Sequence, residues 1–184
     1  LNPSTDIVLC NYREIRDGKI MPHNLSNYSG NCLAELLTSS GPVFHSLLIS
    51  RQRFNDLPKF MSNTINEWDF LIHLANAGAI FLPINEYLAD WIVHENSISR
   101  NAQKEAMNIQ CIVEKHKKLI IKIAGKTILS DHYRCIARLW ESANNFRNSR
   151  EFYKKAFINY PLNLKNSVHF FLTMFNYSNI IFKL

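Results

Sequence analysis

Apolar and polar positions change their period several times along the chain, and each change predicts an element. Asp6-Ile7-Val8-Leu9-Cys10-Asn11-Tyr12 is rich in β-branched residues and predicts a strand. A polar, turn-rich stretch follows from Arg16 to Gly30, and Asn31 to Thr38 has the Leu and Ala content of a short helix. Pro42 to Ile49 predicts a second strand, with the proline at its start, where a missing N–H is tolerated. Ser50 is placed to cap a short helix that ends before Pro58. The clearest helix runs from Asn66 to Ala77, where Trp68, Leu71, Ile72 and Ala75 recur at i, i+3, i+4 and i+7. Phe70 and Leu74 widen that apolar surface, so burial on most sides is expected, and Gly78 is a natural stop. Ala79 to Ile84 and Glu86 to Val93 read as extended segments. Strands before and after a helix predict an α/β or α+β domain over residues 1–100.

Beyond Ser99 the period becomes helical throughout. Asn101 to Ala124 carries Ala106, Ile109, Ile112 and Val113 on one side and meets Gly125. Ile128 to Asn145, Ser149 to Tyr160 and Asn163 to about Ile181 predict three more helices, with Pro161 ending the second of them. Residues 101–184 are therefore expected to be an all-helical extension. Leu139-Trp140, Ala143, Phe146, Ala156 and Tyr160-Pro161 resemble one tetratricopeptide-type helical hairpin, in a single copy and with its spacing shifted by one residue.

Charge sharpens this division. The 184 residues carry a formal net charge of +6. Residues 1–100 hold 7 basic and 10 acidic side chains, whereas 101–184 hold 14 basic and 5 acidic ones. The two parts differ in sign and are expected to differ in task. A hydrophobic content of 47% is ordinary for a folded protein and excludes a disordered chain. No window reaches the roughly 18 uninterrupted apolar residues of a spanning helix. The richest, Val168 to Phe182, is broken by His169, Asn176, Ser178 and Asn179 and is expected to be buried or interfacial. LNPSTDIVLC lacks the basic start and long apolar stretch of a signal peptide, and it runs straight into a strand, as if cut from a longer chain. Cys10, Cys32, Cys111 and Cys135 lie far apart with no C-x-x-C pair, which points to reduced core or near-core thiols in a cytoplasmic protein. With only 5 glycines, no glycine-rich phosphate loop can be built.

Three segments carry a family resemblance: NPSTDIVLCNY (2–12), GPVFHSLLISRQRF (41–54) and NEWDFLIHLANAGAIFLPINEYLADWIVHENSIS (66–99). Together they resemble the second half of a family 2 glycosyltransferase of the GT-A fold. That family places a strand after its metal-binding Asp-x-Asp, then a strand ending in an Arg-containing turn. An acidic helix start beside Trp or Tyr follows, then a Leu-Ala-rich helix, a Gly, a strand and a closing Tyr-Arg-x-His-like segment. The resemblance covers residues 1–100. It implies a partial GT-A-type (nucleotide-diphospho-sugar transferase) sheet with helices, followed by the helical extension. The chain departs from the pattern in three places. It has no Asp-x-Asp; the acidic position before the aromatic residue is Glu67 rather than Asp; and Ile92 stands where the closing segment has Arg. The nucleotide-binding half would precede Leu1, so residues 1–184 are expected to be a fragment without activity of its own.

The resemblance assigns roles. Glu67 would be the base that takes the acceptor hydroxyl proton, held ionised by the positive end of its helix, with Asp69 as the alternative. Asn66 as N-cap would make Asp69 its capping partner, and His73 one turn on could pair with Asp69. His94, with Trp91 and Ser97 or Ser99, would face the donor diphosphate, and His94 is the candidate metal ligand. His45, Ser46, Trp68 and Arg51 would border the acceptor, with Arg53 beside them. A divalent cation, Mg or Mn, is implied, although its Asp-x-Asp ligands are missing. The parent would be a hexosyltransferase-type inverting enzyme moving a sugar from a nucleotide-diphospho-sugar to a saccharide or lipid-linked acceptor, as in bacterial cell envelope polysaccharide synthesis. The basic extension reads as a solvated face, as a contact for an anionic membrane surface, or, least favoured, as a nucleic-acid contact through Lys115, Lys117, Lys118 and Lys122. The expected location is cytoplasmic, peripheral at the inner face of the membrane. The rival is a non-catalytic helical interaction module carried on a degenerate scaffold.

Overall fold

The computed structural model describes residues 5–39, 41–55, 67–95, 97 and 100–174. It divides into two units, Leu1–Asn96 and Ser97–Leu184. The first unit is mixed α/β and is organised around strand β1 (Ile7–Arg16). The β-branched run expected up to Tyr12 continues four residues further because Asp17-Gly18 turns the chain tightly into β2 (Lys19–His23). Both turn residues have positive φ, 50° and 74°, as a two-residue hairpin loop of the I′ kind demands. The polar stretch read as turns thus hides a strand. Its Asp-Gly signal was present in the sequence.

Helix α1 (Leu33–Thr38) follows as expected. The strand expected over Pro42–Ile49 is shorter. Phe44–Ser46 forms a 3-10 turn, and only β3 (Leu47–Ile49) is extended. Helix α2 (Arg51–Asn55) starts at Ser50, whose Oγ accepts from the Arg53 N–H at 3.4 Å. Helix α3 (Glu67–Asn76) buries Trp68, Phe70, Leu71, Ile72, Leu74 and Ala75, which confirms burial around most of its circumference. The two extended segments after Gly78 are one long strand, β4 (Phe81–Val93).

β1 is central. β2 and β3 pair antiparallel with its two ends along one edge, and β4 runs parallel along the other. The β1–β4 register slips at Cys10/Asn11 and Asn11/Tyr12, because β4 inserts residues between Ile84 and Ala89. Pro83 is compatible with β4 because it is an edge strand. One face of the sheet is packed, with Ile7, Leu9 and Phe81 buried together with Leu36 and Leu37 of α1. Trp68 Nε1 donates to the Leu36 carbonyl and locks α3 to α1. Gly41, at φ +72°, lets Leu36, Leu71 and Trp68 close over it, and a Cβ there would meet Leu36 at 2.9 Å. The opposite face is open. Val8 is flanked by Leu48 and Leu82 in register, and Leu48 is 76% exposed.

The second unit is helical: α4 (Ala102–Ile123), α5 (Gly125–Ser142), α6 (Phe146–Asn159) and α7 (Leu164–Met174). Asn101 and Asn145 cap α4 and α6 through their side chains. Asn144, at φ 56°, turns α5 into α6. The core is built from Ile112, Val113 and Ile120 of α4, Leu129, Tyr133, Ile136, Ala137 and Trp140 of α5, and Phe152, Tyr153 and Ala156 of α6. A buried polar string ties on α7. Asn166 Nδ2 donates to Ser130 Oγ at 2.7 Å, and Ser130 Oγ donates to the Ala156 carbonyl at 2.8 Å. Cys111 and Cys135 are exposed, which corrects the expectation of core thiols for these two; Cys32 is buried.

Glu141 carries a pH dependence. It is 5% exposed and accepts from the Tyr153 hydroxyl at 3.1 Å through Oε2, while Oε1 makes no hydrogen bond among the described residues. Burial pushes its pKa above 4.5, against the opposing pull of Tyr153 and Arg138. Such a group binds its proton more tightly folded than unfolded, so the unit loses stability as pH rises from 4.5 through the folded value. Glu141→Gln is expected to remove that part of the slope in denaturant midpoints measured against pH. An unchanged slope would exclude Glu141 as its source.

Candidate functional site

In the first unit the parallel pair β1–β4 and helix α3 decide what comes together. α3 ends where β4 begins, so its N-terminus lies back along the strands. Ten residues at 1.5 Å give α3 a length of about 15 Å, which brings Glu67 level with the middle of β1 rather than with its end. Tyr12 stands there. Its phenol is pushed up to about 12 by burial first, then by the charges of Glu14, Tyr28 and Glu67, so it stays a hydrogen-bond donor through the physiological range.

Glu67 is half-buried at the first residue of α3. Burial raises its pKa, while the Phe44 N–H, donating to the carboxylate, and the nearby His45 draw it back down. The break in the expected strand at Phe44–Ser46 is what points that N–H at the helix start. His45 is exposed and meets the edge of the Tyr12 ring, with centroids 6.3 Å apart. On its other side Tyr12 stacks on His23 at 4.5 Å and 7°. His23 Nε2 lies 3.4 Å from Glu14, a buried carboxylate that accepts from Arg16 Nε at 2.7 Å. A chain of polar and aromatic groups thus runs from Glu67 through His45, Tyr12 and His23 to Glu14. Chemically it offers a carboxylate of raised basicity beside an imidazole and a protonated phenol, which suits proton abstraction from a hydroxyl.

The structure therefore brings Glu67 and His45 together and adds Tyr12, His23 and Glu14, which the sequence did not single out. The hairpin signal Asp17-Gly18 carried that information, since its register sets His23 opposite Tyr12. The remaining expected residues are placed otherwise. Ser46 is buried and donates to the Val43 carbonyl at 2.7 Å within its own turn. Trp68 is core, 2% exposed. Arg51 is exposed at the start of α2, and Arg53 bonds Asp6 at 2.9 Å. Asp69 faces His73 at 3.6 Å, the expected i, i+4 pair. Asn66, its expected cap, lies outside the described residues. Trp91 is partly buried on β4 in register with Glu14. His94, just past β4, is exposed and stands about 16 Å along the strand from the Tyr12 level, at 3.3 Å per residue. Ser97 belongs to the second unit and Ser99 lies outside the described residues. Asp90 is bound by Arg13 through two bonds of 2.7 and 3.1 Å. No helix among the described residues is long and apolar enough to cross a membrane. No family model, no curated protein and no solved structure matches this chain.

Proposed function

We propose that the first unit is the acceptor side of an inverting glycosyltransferase domain of the GT-A type, with Glu67 as its base. One observation carries the proposal: Glu67 opens α3 half-buried, with the Phe44 N–H and His45 against its carboxylate and its basicity raised by burial. A carboxylate in that state takes the proton of an acceptor hydroxyl as the hydroxyl attacks the anomeric carbon of a nucleotide-diphospho-sugar. The nucleoside diphosphate leaves from the opposite face, so the configuration inverts. Tyr12 and His45 orient the acceptor oxygen. Asp69 is set aside as base because His73 engages it. The open apolar sheet face around Leu48, Val8 and Leu82 suits a unit completed by further polypeptide.

The family's divalent cation fits this chain poorly. Mg and Mn prefer oxygen ligands, His94 offers one imidazole, and Asp90 is committed to Arg13. No step is therefore assigned to an ion on these residues, and the diphosphate and metal contacts are left to residues outside this chain. The test is transfer by the full-length protein, supplied with nucleotide-diphospho-sugars and a saccharide acceptor, with the product anomer read by NMR. Inversion is expected. Retention would overturn the single-base displacement. No transfer from any donor would overturn the transferase and leave the helical module as the function.

A specific observation favours an interaction role for the second unit. Tyr133, Ile136, Ala137 and Trp140 on α5 reproduce the W-x2-L-G-x2-Y spacing of a tetratricopeptide hairpin, and Pro161 follows α6. All four are buried, and the shift of one residue disappears once the register starts at Tyr133 instead of Leu139. In this proposal the protein works in the cytoplasm at the inner face of the membrane, with the exposed Lys115, Lys118 and Lys122 of α4 toward anionic lipid.

A further inference from the structure

The far end of the sheet in the first unit carries an apolar row that stays exposed. Ile15 of β1 lies opposite Ile20 of β2 and opposite Ile92 of β4, so three isoleucines stand side by side across three strands. Residues paired across a sheet project from the same face, and so do alternate residues along one strand. The row therefore lies on the face that buries Ile7 and Leu9 at its other end. Here that face is open: Ile20 is 62% and Ile92 65% exposed. One row nearer the core, Pro22, Arg13 and Asp90 stand in register, with Arg13 holding Asp90. One row further out come Asp17, in the hairpin turn, and His94, just past β4, both exposed.

We propose that this isoleucine row is the centre of a two-fold interface, covered by a second copy of this chain. The pattern is self-complementary. A two-fold axis along the row, midway between two facing sheets, sets Ile15, Ile20 and Ile92 against the same residues of the second copy. The axis also reverses the strands. The row two residues behind in one copy then meets the row two residues ahead in the other. Arg13 faces Asp17 of the second copy, and Asp90 faces His94 of the second copy, each twice by symmetry. Arg13 serves both partners, because only two of its five N–H groups hold Asp90. Opposite signs thus rim an apolar centre, the ordinary anatomy of a protein interface. A membrane suits the row less, since anionic lipid repels Asp17, Asp90 and Glu95 around it. Three strands span only about 10 Å. An interface centred there falls at the small end of the size range, so the dimer is weak, with a Kd on the order of 10–100 µM. This is not the open face around Leu48, so the dimer does not depend on the role of Glu67.

Sedimentation equilibrium of the full chain from about 5 to about 500 µM should show a reversible monomer–dimer equilibrium. Ile20→Thr with Ile92→Thr keeps β-branched residues in both strands and should weaken the dimer about tenfold or more. Leu48→Thr, on the opposite face, should change it by less than about twofold. Asp17→Asn suits the positive-φ turn but removes the charge that faces Arg13, and should weaken the dimer about twofold to fivefold. Thermal midpoints check that the variants fold, and Ile20→Thr alone serves if the double variant is unfolded. A monomer at every concentration would overturn the proposal and leave the row to a different polypeptide. So would a dimer untouched by the isoleucine variants, one weakened as much by Leu48→Thr, one untouched by Asp17→Asn, or growth beyond two copies.

Discussion

Glu67→Gln is expected to lower kcat of the proposed sugar transfer by about 10²- to 10⁴-fold, the usual contribution of a positioned general base. Gln has the shape of Glu and keeps an oxygen for the Phe44 N–H, but it takes no proton. KM for the donor should hardly move, because the loss falls on the transition state and not on ground-state binding. The wild-type profile carries its own signature. The base acts when ionised, and burial holds its pKa above 4.5. The acidic limb of kcat/KM should therefore lie above 4.5, with activity rising as pH rises through it. His45→Ala removes the neighbouring imidazole that draws this pKa down, so it should move the limb further up. Full turnover by Glu67→Gln, with the limb intact, would take Glu67 out of the mechanism.

Trp68→Ala is expected to unfold the first unit or leave it marginal. Truncating a buried Trp costs about 3–5 kcal/mol. The Leu36 carbonyl also loses the indole donor, and an unsatisfied buried group costs about 1–3 kcal/mol more. A typical domain has about 5–15 kcal/mol of stability in all. Near-ultraviolet circular dichroism and thermal unfolding should show the loss. The helices of 102–174 bury a core of their own, so much of the far-ultraviolet helical signal should remain. Trp68→Phe keeps most of the apolar volume and should recover much of the stability, though not the hydrogen bond. If Trp68→Ala melted with the wild-type midpoint, the α1–α3 contact would not be what holds this unit. The residue next to the proposed base thus works through packing: it fixes the helix whose first turn presents Glu67.

Helices were legible because their period is local. Trp68, Leu71, Ile72 and Ala75 already drew α3, and α4 to α6 and the start of α7 lie within a few residues of the expected spans, while the expected end of α7 lies outside the described residues. Strands were less so. β2 is exposed at four of its five positions and has no apolar alternation, and it exists because β1 offers it an edge. β4 looked like two segments because its inserted residues break the alternation, and only pairing with β1 makes them one strand. The candidate site followed the same division. Glu67 and His45 were named from sequence, but Tyr12, which extends the chain beyond His45, was not, and His23 and Glu14 join through a hairpin register.

By itself the sequence determined the helical periods, the acid at the start of α3, and the split between an acidic first part and a basic second part, since all are properties of neighbouring residues. Tertiary structure alone decided which face of the sheet is packed, that Ser46 and Trp68 are spent on the fold, and that Glu67 sits half-buried beside Phe44, His45 and Tyr12. Those outcomes depend on contacts between residues dozens of positions apart. Burial, and with it the basicity of a carboxylate, exists only after such contacts have closed.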